Sequence, residues 1–110
     1  MQTKRMELLM SRRPRAKPLP QVDQIPTNML VPYYLMSSYL YYKTDKHVYR
    51  DSDYDKICKR LYNEWNNVEH WHKELIDKES LTAGTGYQIS KYPNRVKFAA
   101  EAWYRQYGNY

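Results

Sequence analysis

The chain is short of the residues that would staple it, hinge it or anchor it in a bilayer. Its one cysteine, Cys58, leaves no internal disulfide and fits a reducing cytoplasm. Three glycines, at positions 84, 86 and 108, are too few for a flexible linker. No apolar run approaches the roughly 20 residues a spanning helix needs. The basic N-terminus is not followed by an apolar stretch, so no signal peptide is expected. There is one phenylalanine against thirteen tyrosines. Tyrosine offers a flat apolar face with a polar tip, which suits a sticky but wet surface and also stands in for aliphatic core. A chain of 110 residues makes one domain with a modest core.

The net charge of +6 is unevenly spread. Lys4, Arg5, Arg12, Arg13, Arg15 and Lys17 stand against Glu7 alone, which leaves residues 1–17 at +5 and the remainder at +1. Such a segment attracts nucleic-acid phosphates or acidic protein surfaces, or is a solvated tail. Pro14, Pro18, Pro20 and Pro26 keep residues 1–26 from forming a long helix, so the segment reads as an extended basic arm. Residues 27–110 read as an all-α domain built on a helical hairpin.

A first helix is expected over roughly 28–44, capped by Thr27 or Asn28, with Tyr33, Leu35, Met36, Tyr39, Leu40 and Tyr42 at helical spacing. Asp51 is a suitable N-cap for a second helix, and Asp53 and Asp55 in its first turn complement the helix dipole. Tyr54, Ile57, Cys58, Leu61, Tyr62 and Trp65 form its apolar stripe. Asn66-Asn67 interrupts the pattern, and Val68, Trp71, His72, Leu75 and Ile76 continue it as a third helical piece ending near Ser80. Residues 81–94 read as a loop that packs Tyr87 and Ile89 back on the core. The last helix runs from about Asn94 to Tyr107, with Val96, Ala99, Ala100 and Trp103 on one face. Trp65, Trp71 and Trp103 are expected in the core.

The turn from Lys43 to Arg50 is short enough to fold the first two helices together. Tyr41 and Tyr42 then meet Asp51, Tyr54 and Asp55 at one corner of the hairpin. That corner suits a flat, cationic or hydroxyl-rich ligand, and equally a plain helix junction.

This set closely resembles the N-terminal Ia domain of bacterial NAD-dependent DNA ligases. The family pattern is Tyr followed by His or Tyr, a turn, then Asp-x-x-Tyr-Asp opening the next helix. Tyr41-Tyr42 and Asp51, Tyr54 and Asp55 fill it at matching spacing. Leu61 and the segment His72-Lys73-Glu74-Leu75-Ile76 extend the likeness, which covers about residues 28–77. In that family the domain is a helical hairpin that clamps the nicotinamide mononucleotide half of NAD. The resemblance implies aromatic walls from Tyr41, Tyr42 and Tyr54 and polar contacts from Asp51 and Asp55. It also implies a free-standing Ia-like protein of bacteriophage type, acting in the cytoplasm of the host cell.

No Lys-x-Asp-Gly nucleophile motif occurs in these residues, so the chain is not expected to join DNA by itself. The leading expectation is a non-catalytic binding or adaptor protein that contacts nucleic acid or a replication or repair protein. The alternatives are an NAD- or nicotinamide-mononucleotide-binding protein and an accessory subunit of a split ligase. Cys58, His70 and His72 lack the i, i+4 pairing of helical metal ligands, so no metal is expected. Gly84-Thr85-Gly86 is too short for a phosphate loop. Lys91, Arg95, Lys97 and Arg105 form a second basic scatter, either solvated or an extension of a nucleic-acid footprint.

Overall fold

The first helix, α1 (Leu30–Thr44), is apolar on nearly every side and accordingly sits at the centre. It buries Leu30, Val31, Tyr34, Leu35, Ser37, Ser38 and Leu40. The computed structural model describes residues 19–108, which are all-α with no strand among them. Pro32 falls in the first turn of α1, where its missing N–H would have had no helical partner. The helix ends at Asp45, which takes a left-handed conformation (φ 57°) while Lys46 N–H returns to the Leu40 carbonyl at 2.9 Å. Asp is among the few side chains that tolerate this conformation, and it reverses the chain.

The second helix, α2 (Asp51–Asn63), packs on α1 through Ile57, Cys58 and Leu61. A short α3 (Lys78–Thr82) packs on α2. The last helix, α4 (Asn94–Tyr107), covers another side of α1 with Val96, Ala100 and Trp103. Trp103 meets Tyr33 and Tyr49 edge-on, with ring centroids 5.6 and 5.4 Å away. Tyrosines thus supply core where aliphatics are few.

Several expectations need correction. The N-cap of α2 is Arg50, in extended backbone and without a side-chain cap, and Asp51 is the first helical residue. Thr27 and Asn28 do not cap α1 either: a 3-10 turn, Thr27–Met29, leads into it. Thr27 instead donates to Glu64 Oε1 at 2.7 Å, and Asn28 accepts from the Glu69 N–H. The third helical piece is two 3-10 turns, Trp65–Asn67 and Trp71–Leu75, followed by α3. A 3-10 turn repeats every three residues, so the 3.6-residue stripe does not carry through it. Trp71 points outward, 70% exposed, and Trp65 is only half-buried. Tyr62 and Tyr87 are exposed as well, whereas Ile89 is buried.

The charged arm residues Lys4, Arg5, Arg12, Arg13, Arg15 and Lys17 lie outside the described residues. The stretch 19–26, expected to be arm, is part of the body: Val22 and Ile25 are buried. Arg60 fastens it. Its guanidinium donates to the Val22 and Ile25 carbonyls at 2.8 and 2.7 Å and holds both Glu64 carboxylate oxygens, at 2.8 and 3.0 Å. These bonds keep the Glu64 carboxyl below its ordinary range, against the opposing effect of burial. The link therefore contributes at neutral pH and fades as pH falls through that lowered value. Replacing Arg60 with alanine is expected to cost roughly 2–3 kcal/mol in urea unfolding, because charge-assisted bonds are lost and the Ile25 carbonyl loses its donor, while the Val22 carbonyl keeps the Ile25 N–H. Arg60→Lys should recover only part, since an ammonium cannot reproduce the fork. An unchanged midpoint in Arg60→Ala would show that the segment is held by Val22 and Ile25 alone.

Candidate functional site

The end of α1, the turn 45–50 and the first turns of α2 enclose a cavity of about 240 Å³. Tyr41, Tyr42, Asp51, Tyr54 and Asp55 all line it, so the five residues singled out by spacing share one site. Ser37, His47, Val48, Tyr49, Ala83 and Gly84 complete the lining. On α1, Ser37 and Tyr41 are four residues apart and so project from one face. On α2, Asp51, Tyr54 and Asp55 do the same at spacings of three and four.

The aromatic residues divide into fixed and open ones. Tyr54 is largely inside: its ring stacks on Tyr34 (5.8 Å, 18°) and its hydroxyl pairs with Ser38 Oγ at 2.7 Å. Burial pushes the Tyr54 hydroxyl well above the ordinary tyrosine range, and the neighbouring Tyr34 adds to the shift, so it stays protonated. Tyr42 is pinned by its hydroxyl to Thr85 Oγ1 at 2.8 Å. Tyr41 stands at right angles to it (4.8 Å, 85°) and is 52% exposed. Tyr42 also meets Tyr87 edge-on (6.0 Å, 70°), so Tyr41 is the ring that borders solvent.

The carboxylates of Asp51 and Asp55 are exposed. Asp55 makes an ion pair with Lys59 at 3.1 Å on the outside of the helix. No Lys or Arg lines the cavity, and Asp51 is its carboxylate without an ion pair among the described residues. Ser37 is only 8% exposed, yet among the described residues its hydroxyl has no hydrogen-bond partner. The oxygen itself offers almost no accessible surface, so it is an orphaned hydroxyl under the cavity floor, which costs the fold stability.

The loop after α3 closes the corner. Gly84 takes a left-handed conformation (φ +67°), and a Cβ there would sit 3.1 Å from Asp55 Oδ1. Gly86 packs so closely that a Cβ would lie 2.5 Å from Ser38 Oγ and 2.8 Å from the Tyr54 hydroxyl. Between them the Thr85 carbonyl accepts from the Tyr34 hydroxyl at 2.7 Å. The Gly84-Thr85-Gly86 turn is therefore a clamp on the tyrosines of the hairpin. Its fit, Ser37 and Tyr49 are what spacing alone missed. The glycine pair was the one available signal, since close backbone approach demands glycine.

Nothing in the site resembles an activated nucleophile. Ser37 is not hydrogen-bonded to a base. Burial, together with the Asp55 charge, pushes the Cys58 thiol up to about 12, so it is an inert core group. Among the described residues no group of three or more His, Cys, Asp or Glu is placed to hold a metal ion, and no helix is long and apolar enough to cross a membrane. Comparison with protein-family models, curated proteins and solved structures gives no match.

Proposed function

We propose that the chain is a non-catalytic binding protein whose α1–α2 corner takes the nicotinamide riboside portion of nicotinamide mononucleotide or NAD. The observation that carries this reading is the joint presence, around one cavity, of tyrosine rings and two carboxylates. Tyrosine faces stack on a flat ring. Carboxylates offset its positive charge and accept from ribose hydroxyls. The size is selective too. About 240 Å³ falls short of the roughly 300–1,000 Å³ usual for drug-sized ligands, so half a dinucleotide is the better fit. With no lysine or arginine in the lining, the ligand's phosphate would face outward.

The ligand's own chemistry provides the test. Oxidised nicotinamide carries a positive charge and reduced nicotinamide does not. Calorimetric titration is expected to give saturable binding of nicotinamide mononucleotide and binding of its reduced form weakened on the order of tenfold or more, as loss of a charge-assisted contact implies. Equal affinity for the two forms, or no heat from either at millimolar concentration, would remove the reading.

A second reading rests on charge. The +5 of residues 1–17 favours an adaptor that contacts nucleic acid or a DNA-metabolism protein, or that completes a separate nucleotidyltransferase chain. The two readings are compatible, because the arm and the cavity use different residues.

A further inference from the structure

A second groove, of about 330 Å³, is lined by Tyr39, Lys43, Ser90, Lys91, Tyr92 and Lys97. Half of these residues are lysines and none is acidic. Tyr39 and Lys43 lie four apart on one face of α1, and Lys97 is in the first turns of α4. The rings of Tyr39 and Tyr92 meet edge-on at 5.3 Å and form the bed between them.

None of the three ammonium groups has an ion pair, hydrogen bond or ring contact with another described residue. Four other lysines of the body are engaged, and Lys56 stands apart on α2. Lys46 pairs with Glu101, Lys59 with Asp55, Lys73 donates to the Trp65 and Val68 carbonyls, and Lys78 lies over Tyr62. The carboxylate nearest in sequence to Lys97 on its own helix face, Glu101, is the one that Lys46 occupies. A body with a balance of only +1 thus gathers three uncompensated cations at one place. Like charges held together repel, and a polyanion relieves that repulsion.

The type of cation narrows the partner. The groove offers lysines and a serine hydroxyl, with no arginine fork to grip one small phosphate in two places. Mobile ammonium groups spread along an open groove instead suit successive phosphates, contacted without base readout. We propose that this groove is a contact surface for the phosphodiester backbone of nucleic acid, contributed by the folded body in addition to the arm.

The test is the salt dependence of binding to a short labelled DNA duplex by the full chain and by a Lys43→Gln/Lys91→Gln/Lys97→Gln variant. The arm is intact in both, so any difference in slope belongs to the groove. Each neutralised phosphate adds about 0.9 to the log–log slope, so the triple variant is expected to lose up to about 2.7. Lys91→Gln alone changes one exposed loop residue and leaves the fold untouched. It should lose about 0.9. Superimposable slopes for parent and variants, or no duplex binding by the parent, would overturn the proposal. So would displacement of the duplex by inorganic phosphate far beyond that by chloride at equal ionic strength, if the triple variant abolished it. That outcome would make the groove a small-anion site. Nicotinamide mononucleotide binding is expected to be unchanged in all variants, which keeps this test separate from that of the cavity.

Discussion

Replacing Asp55 with alanine is expected to weaken nicotinamide mononucleotide binding on the order of tenfold to a hundredfold, since a charge-assisted contact contributes about 1.5–3 kcal/mol. Unfolding should hardly change. The Asp55 side chain is 51% exposed, and its ion-pair partner, Lys59, is 71% exposed. Such a pair contributes roughly 0–1 kcal/mol. Asp51→Ala is expected to behave alike. Asp51 is not the N-cap of α2, so its loss removes only a dipole contribution of about 0.3–1 kcal/mol. Calorimetric titration beside a thermal melt separates the outcomes. A well-folded Asp55→Ala protein that binds as tightly as the parent would mean that the carboxylate touches no ligand. A variant that melts early would mean that the corner is a helix junction and the aspartate serves the fold.

Tyr34→Ala should produce the largest loss of stability, on the order of 3–5 kcal/mol, as for other buried aromatics cut to alanine. That is a large share of the roughly 5–15 kcal/mol that holds a typical domain. Tyr34 is fully buried, stacks on Tyr54, and donates to the Thr85 carbonyl. It therefore joins α1, α2 and the glycine clamp at one point. Tyr34→Phe keeps the ring and removes the hydroxyl. It should cost about 1–3 kcal/mol, because the Thr85 carbonyl loses its donor. Urea unfolding of both variants measures the difference. Equal losses would place all of Tyr34's contribution in the hydrogen bond, and a small loss in Tyr34→Ala would show that the corner repacks freely.

How far the structure was legible in the sequence depended on periodicity. The stripe Ile57, Cys58 and Leu61 and the face Val96, Ala100 and Trp103 lie on regular α-helix, where residues three and four apart stay together. The hairpin followed from the shortness of the turn after Thr44. Periodicity failed where the helix tightened. Extending the stripe through Trp71–Leu75 placed Trp71 inside, and the 3-10 geometry turns it out. The cap of α2 was misplaced by one residue: the N-cap is Arg50, in extended backbone with no side-chain cap, and Asp51 already lies inside the helix.

The site was legible on its two helical edges and not on its third. Tyr41, Tyr42, Asp51, Tyr54 and Asp55 stand at helical spacings on either side of one turn. Ser37 carries no signal, because a serine within an apolar helix looks like any small core residue. The fit of Thr85 and Gly86 onto Tyr42, Tyr34 and Tyr54 depends on contacts across more than thirty positions of chain, which no local pattern encodes. The lysine groove is similar. Lys91 and Lys97 were visible as basic scatter, but Lys43 joins them only because α1 and α4 pack together.

The central claim, that the α1–α2 corner is a nicotinamide nucleotide site, is tested most directly by nuclear magnetic resonance titration of the isotope-labelled full chain with nicotinamide mononucleotide. Saturable shifts confined to the amides of Ser37, Tyr41, Tyr42, Asp51, Tyr54, Asp55 and Gly84 are the result expected. Shifts clustered elsewhere, or none at millimolar ligand in a spectrum of a well-folded protein, would contradict the claim.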